Sequence, residues 1–215
     1  PKADAPCFRS LDNLLEFYGV LGTKDEARWR KYMLEIFHFR ERNPTREFVD
    51  AETFDFGKTS VEVIHTPGHT PGHSCFYFKG EGLLFLADID LTPFGPWYGD
   101  ASSDLDQTIA SIIRIKSVPA RIFITGHGEG IVQGDIKKKL EGFLQVINQR
   151  ESTLLEFLRE PRTMEDIIKK RIVYKKPKEP VSFYDFGEWG IMKKHLDRLI
   201  TLGAVAYHEG RYWKK

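Results

Sequence analysis

Apolar positions along the chain first repeat at helical spacing, then at strand spacing, then alternate between the two. Leu11, Leu14, Leu15 and Tyr18 fall on one face of a helix that Gly19 and Gly22 interrupt. Thr23 and Glu26 have the spacing of a capping box, ahead of a stripe of Trp29, Tyr32, Met33, Ile36 and Phe37. Such a stripe suits either a lid or ordinary packing on a core, and packing is the commoner use. From Phe54 the pattern becomes short β-branched or aromatic runs bounded by Pro and Gly: Ser60 to His65, Ser74 to Phe78 and Gly82 to Ala87. A helix entered at Ser102 and carrying Leu105, Ile109, Ile112 and Ile113 precedes the strand Arg121 to Thr125. A further helix carries Leu140, Phe143, Leu144 and Ile147, so strand and helix alternate as in a layered α/β domain.

After about Arg150 the pattern shifts again. Leu154, Leu155 and Leu158 predict a short helix, Thr163 to Asp166 a helix start, and Lys175 to Pro180 a charged loop. A helix from about Glu188 to Thr201 then ends at Gly203, and Ala204 to Trp213 reads as a hairpin with His208-Glu209-Gly210 at its tip. Helices followed by a hairpin are the order of a winged helix. The expected division is therefore 1–150, with helices over 1–50, and 151–215.

Charge adds little overall, because 32 Lys+Arg against 31 Asp+Glu leave a net charge of +1. The imbalance is local: residues 151–215 carry 14 basic and 10 acidic side chains, and the remainder 18 and 21. Lys193, Lys194 and Arg198 lie within two turns of one helix, but no Arg cluster marks a base-reading face. A docking or dimerisation role for this segment is favoured over nucleic-acid binding. No apolar run reaches the roughly 20 residues of a membrane helix, and no secretory leader is visible, so a soluble, cytoplasmic protein with no membrane partner is expected. Cys7 and Cys75 are too few for a disulfide framework, and Cys75 reads as a small buried thiol.

The candidate chemistry is concentrated in HTPGHTPGHS, which sets His65, His69 and His73 four residues apart between strands. Imidazoles on tight turns at a strand end suit a transition-metal site. Asp88 follows the strand Gly82 to Ala87, and His127 follows the strand Arg121 to Thr125 in ITGHGEG. A strand-end Asp alone is more often a turn cap, but the ordered set changes the balance. FGPWYGD, Phe94 to Asp100, comes next after Asp88 and reads equally as a pocket rim or a packed loop.

HTPGHTPGH, LLFLAD and ITGHG, in this order over residues 58 to 130, resemble the metallo-β-lactamase superfamily of metal-dependent hydrolases. The resemblance implies an αββα sandwich of which this chain supplies the second half, with His69 on one metal, Asp88 bridging and His127 on the other. Asp90 competes for the bridging role, and His65 and His73 are expected to support rather than ligate. Two divalent ions, zinc expected ahead of iron or manganese, would hold a bridging hydroxide that attacks an ester, thioester or phosphodiester. The family's upstream HxHxDH string does not occur: the histidines are His38, His65, His69, His73, His127, His195 and His208. A chain that starts after that motif is the simplest expectation, with a natural half-protein or a metal-free relative as the alternative. Either leaves too few ligands for a stoichiometric dinuclear centre, so this chain by itself is expected to be inactive. The C-terminal segment resembles the winged-helix module that follows the hydrolase domain in one branch of the superfamily. An RNA-processing enzyme, a nucleic-acid binder or a non-catalytic interaction protein are the competing readings.

Overall fold

A computed structural model describes all 215 residues. Three short helices open the chain, α1 (Ala5–Arg9), α2 (Leu11–Tyr18) and α3 (Glu26–Lys31). Helix α2 has the predicted bounds because Ser10 caps its first turn and Gly19, at φ 77°, ends it in the left-handed conformation. The capping box expected of Thr23 and Glu26 is not formed, since the helix begins at Glu26 itself. Instead the Glu26 carboxylate accepts from the Gly22 amide, and Thr23 turns back on the Val20 carbonyl.

The aromatic stripe divides. Trp29 and Met33 are buried, whereas a π-type turn over Tyr32–Ile36 swings Ile36 and Phe37 out to about 60% exposure. Trp29 lies 5.0 Å from Phe186 and 5.9 Å from Phe183, ring centre to ring centre, and so ties the N-terminal helices to the C-terminal part.

Six strands form one sheet in chain order: β1 (Thr53–Asp55), β2 (Ser60–His65), β3 (Ser74–Phe78), β4 (Leu83–Ala87), β5 (Ile122–Thr125) and β6 (Ile131–Gln133). All neighbours are antiparallel except β4 and β5, which are parallel and joined through α4 (Leu105–Ile115). Strand alternation sends Cys75, Tyr77, Leu84, Leu86, Phe123 and Val132 to one face, where Ile112, Ile115, Leu140 and Phe143 of the helices cover them. The opposite face carries Phe76, Phe85, Ile124 and Ile131 side by side in register. Phe48, edge-on to Phe54 and Phe76, and Arg46, 4.6 Å from the centre of the Phe54 ring, pack over part of it, and Ile131 is 61% exposed. This six-stranded sheet thus has helices on one side.

Helix α5 (Lys137–Phe157) runs without a break through the 150/151 boundary expected from composition. The separate helix predicted at Leu154 is its last turns, because no Gly or Pro interrupts the run after Gly142. There follow β7 (Arg162–Thr163), α6 (Met164–Lys170), α7 (Val181–Thr201), β8 (Val205–His208) and β9 (Arg211–Lys214). The start of α6 is as read, with Thr163 and Asp166 forming a reciprocal capping box. Strands β7, β9 and β8 make a small second sheet. A single core joins Tyr98, Leu105 and Ile147 to Leu154, Ile167, Ile191, Leu196 and Val205, so this C-terminal part is welded to the helical layer. Neither of the long helices, nor any other, is long and apolar enough to cross a membrane. Cys7 and Cys75 are both buried and unpaired.

Candidate functional site

The β2–β3 turn is shaped by glycine. Gly68, at φ 129°, would place a Cβ only 2.3 Å from the Thr108 amide nitrogen, so no other residue lets the turn approach α4 this closely. The Gly68 carbonyl accepts from Asp104 N at 2.8 Å, and Ser103 Oγ donates to the His69 carbonyl at 2.7 Å. Helix α4 therefore grips the turn on both sides of the imidazole. Asp4, from the far N-terminus, holds the other end by accepting from Thr70 Oγ1 at 2.5 Å and Gly72 N at 2.7 Å.

His69 Nδ1 donates to the Trp97 carbonyl at 3.1 Å, which leaves Nε2 free to face Asp88 Oδ2 at 3.8 Å. An imidazole fixed through one nitrogen so that the other is presented is the arrangement used by metal-binding histidines. Trp97 is itself fixed, because its indole donates to Asp100 Oδ2 at 2.9 Å. Burial raises the Asp100 carboxyl to about 6, against the indole hydrogen bond and the nearby His69 and Lys194. Arg150, almost fully buried, donates to the carbonyls of Phe94 and Pro96 and to Tyr98 Oη, and lies 4.9 Å from the centre of the Phe94 ring. The Phe94–Asp100 loop is thus both of the things its sequence suggested, packed from behind by Arg150 and open in front through Trp97 and Phe94.

Asp88 follows Ala87, whose φ of 50° is a strained left-handed value for a residue with a Cβ. A register shift between Phe85 and Ala87 accompanies it. Gly126 N donates to the Ala87 carbonyl at 2.7 Å, and a Cβ at Gly126 would lie 2.9 Å from that oxygen. The two strand ends are therefore pressed together, and His127 Nε2 comes to 3.3 Å from Asp88 Oδ1. His127 is 73% exposed.

The structure brings His69, Asp88 and His127 to one place, with one carboxylate oxygen toward each ring. Asp90 does not join them, since its Oδ1 accepts from Thr92 N and Oγ1 and closes a local turn. His73 is buried, with Nδ1 against the Thr66 carbonyl and hydroxyl, and its Nε2 accepts from the Asp88 amide at 3.1 Å. Burial, reinforced by the neighbouring His69, lowers its pKa to about 4, which keeps Nε2 an acceptor. His65 Nε2 donates to the Pro71 carbonyl at 2.8 Å and faces away.

The donor chemistry of the three residues suits a divalent metal, but their number does not complete a site. Two ions sharing Asp88 would each have one imidazole and half a carboxylate, against the three or four protein ligands zinc takes. No group of three or more His, Cys, Asp and Glu side chains closes around a single position. Arg150, Asp4, Ser103 and the Trp97 carbonyl were not found from sequence. Each acts across a long separation or through the backbone, where residue type carries no signal.

A profile of the metallo-beta-lactamase superfamily matches residues 11–127, more than half of the chain. The chain belongs to that superfamily. Among curated relatives, a hydroxyacylglutathione hydrolase of Francisella philomiragia is 38% identical over 82 residues, 37% of this chain and 31% of the relative. An atrochrysone carboxyl ACP thioesterase of Aspergillus fumigatus is 30% identical over 138 residues, covering 61% of this chain and 41% of the relative. The chain thus spans less than half the length of these two relatives. A metallo-beta-lactamase family protein of Thermus thermophilus superposes with a TM-score of 0.71 at 24% identity, over 93% of this chain and 67% of that one. A beta-lactamase domain protein from Burkholderia ambifaria gives 0.66 at 16% identity, covering 88% and 59%. These two likenesses concern the fold.

Proposed function

We propose that this chain carries one flank of the active site of a metal-dependent hydrolase acting on an ester, thioester or phosphodiester. The observation that carries the reading is the Asp88 carboxylate set between two imidazoles, at 3.8 and 3.3 Å, with one oxygen toward each. His69 and His127 would hold one divalent ion each and Asp88 would bridge them. Ions so held supply a water of lowered pKa and polarise a carbonyl or phosphoryl oxygen. The protein's own part is positional. Trp97 and Ser103 fix the His69 ring and backbone, His73 fixes the Asp88 amide, and Asp4 anchors the turn. The remaining ligands would be supplied from outside these three residues, and the exposed part of the sheet face offers a seat for the structure that bears them. The relatives named a hydroxyacylglutathione hydrolase and an ACP thioesterase favour a thioester among the three.

Residues 151–215 are read as a winged-helix-like unit with a docking role. The three cations that could have faced a nucleic acid are committed elsewhere: Lys193 to Asp197, Lys194 to the Ala101 and Ser103 carbonyls, and Arg198 to Asp106 and Glu151. That favours docking.

Zinc titration by equilibrium dialysis tests the metal reading. The chain is expected to hold at most one loosely bound ion, lost on Asp88→Ala, and to hydrolyse a thioester panel no faster than a His69→Ala control. Metal retained equally by the His69→Ala, Asp88→Ala and His127→Ala variants overturns the assignment. Two ions per chain, or turnover abolished by His69→Ala, would show that ligands beyond the three are already in place.

A further inference from the structure

A cleft of about 880 Å3 leads away from His69 and His127, and its walls come from three separate parts of the chain. Phe8, Trp29 and Phe37 stand on the N-terminal helices, Trp97 on the loop behind His69, and Phe186 on α7. Half of the 24 lining residues are Phe, Tyr or Trp. Flat, rigid side chains at this density accept a flat, apolar body by stacking and edge contacts, with little loss of side-chain freedom.

The cleft lining holds acidic as well as basic side chains. The acidic residues at its wall are internally satisfied, Asp4 by Thr70 and Gly72 and Asp100 by the Trp97 indole. Arg40 and Arg42 also line it, both exposed, and neither forms an ion pair with any carboxylate of the chain, unlike Arg9, Arg28, Arg30 and Arg46 of the same region. Two unpaired guanidinium groups beside an aromatic wall are suited to the carboxylate or phosphate of a molecule whose remainder is apolar.

We propose that the cleft binds a bulky, aromatic acyl group belonging to an ester or thioester that also carries an anionic group, with the ring system between the aromatic walls and the anion at Arg40 and Arg42. This rests on the hydrolase reading and names its substrate class. The scissile carbonyl then lies toward His69 and His127. In the reaction the C–S or C–O bond breaks, the oxygen of water joins the acyl carbon, and the departing thiol or alcohol takes up a proton from that water.

The test is a binding measurement on the 215-residue chain without metal, so that it does not depend on turnover. The probes are 6-(2-naphthyl)hexanoate, its neutral alcohol and hexanoate, titrated calorimetrically. The naphthyl acid is expected to bind most tightly, and hexanoate at least about tenfold more weakly, a loss equivalent to one good apolar or ionic contact. Replacing both arginines, Arg40→Gln with Arg42→Gln, should weaken the acid about tenfold and leave the alcohol unchanged. Phe37→Ala, at an exposed position where folding is not at risk, should weaken acid and alcohol together. Equal binding of acid and alcohol overturns the anionic requirement. Affinities untouched by Phe37→Ala and the arginine pair would place the probe elsewhere, for instance on the open sheet face, and overturn the proposal. Binding as expected with no metal response at His69, Asp88 and His127 would instead overturn the hydrolase reading alone.

Discussion

His69 and His127 each face one oxygen of the same carboxylate, and their rings are held differently. His69 is 26% exposed, is tied through Nδ1 to the Trp97 carbonyl, and sits on a turn gripped by α4 and by Asp4. Behind Trp97 stand Asp100, Arg150 and the C-terminal core. His127 is 73% exposed and its ring makes no hydrogen bond, although its loop is fastened by Thr125 Oγ1 donating to the His127 carbonyl, by Lys139 pairing with Glu129, and by close approach of Gly128 to Thr92. The His69 ring is therefore fixed through a hydrogen bond of its own, whereas the His127 ring is not. The difference follows from burial, since the first turn is enclosed by a helix and a loop and the second projects beyond the sheet.

The strongest way to break that contrast is to remove the support behind His69. Arg150 satisfies the Phe94 and Pro96 carbonyls and Tyr98 Oη inside the protein. Arg150→Ala orphans these acceptors, and unmatched buried polar groups cost about 1–3 kcal/mol each, so a loss on the order of 3 kcal/mol is expected. Urea denaturation measures it. A change below about 1 kcal/mol would show that the loop does not depend on this residue.

A pair of glycine substitutions sharpens the comparison directly. Gly68 and Gly130 both have positive φ, 129° and 82°, but a Cβ at Gly68 would meet the backbone of Thr108 while one at Gly130 would meet nothing within 4 Å. Gly130→Ala should cost about 1 kcal/mol from backbone strain alone, and Gly68→Ala about 2 kcal/mol more from the added overlap. Equal losses from the two variants would contradict the tight contact on the His69 side.

Acid should weaken the supported half first. His195 is buried between Tyr98 Oη at 2.9 Å and Glu151 at 3.2 Å, and burial lowers its pKa below 6.5 although Glu151 opposes the shift. The unfolded chain therefore takes up the proton first as pH falls. The stability this residue contributes is present above about pH 6.5 and is lost progressively below it, with a slope of at most about 1.4 kcal/mol per pH unit. Denaturation midpoints at pH 7.5 and 5.5 measure the loss, which His195→Gln should reduce. An unchanged pH dependence in that variant would assign the acid sensitivity to other groups.

How the two halves are built also explains what could be read from the letters. Strands β2 and β3 have the predicted bounds because alternation and flanking Pro-Gly turns act locally. The strand-end positions of His69, Asp88 and His127 were legible for the same reason. Strand β6 was missed, since three residues are too few to show a period. Arg150 gives no sequence signal that separates a buried arginine from a solvated one on a helix, and the Trp97 carbonyl is not encoded by residue type at all. The contact of Asp4 with Gly72 spans 68 positions, which no local pattern reports. The boundary at 150/151 followed composition, yet α5 continues through it because helix continuity depends on the absence of breakers and on the shared core.

The smallest effect concerns the loose imidazole. His127 contributes no side-chain hydrogen bond and little buried surface, and its nearest polar contact is 3.3 Å from an Asp88 carboxylate that is itself 39% exposed. An exposed pair of this kind contributes about 0–1 kcal/mol, less when the histidine is neutral. His127→Ala is therefore expected to shift stability at pH 7.5 by no more than about 0.5 kcal/mol. His69→Ala removes the bond to the Trp97 carbonyl and should cost about 1 kcal/mol. The two variants are close in chemistry and differ only in what surrounds the ring, so their difference isolates the support. If they prove equally costly, the ring of His127 is held as firmly as that of His69, and the two sides of Asp88 are supported alike.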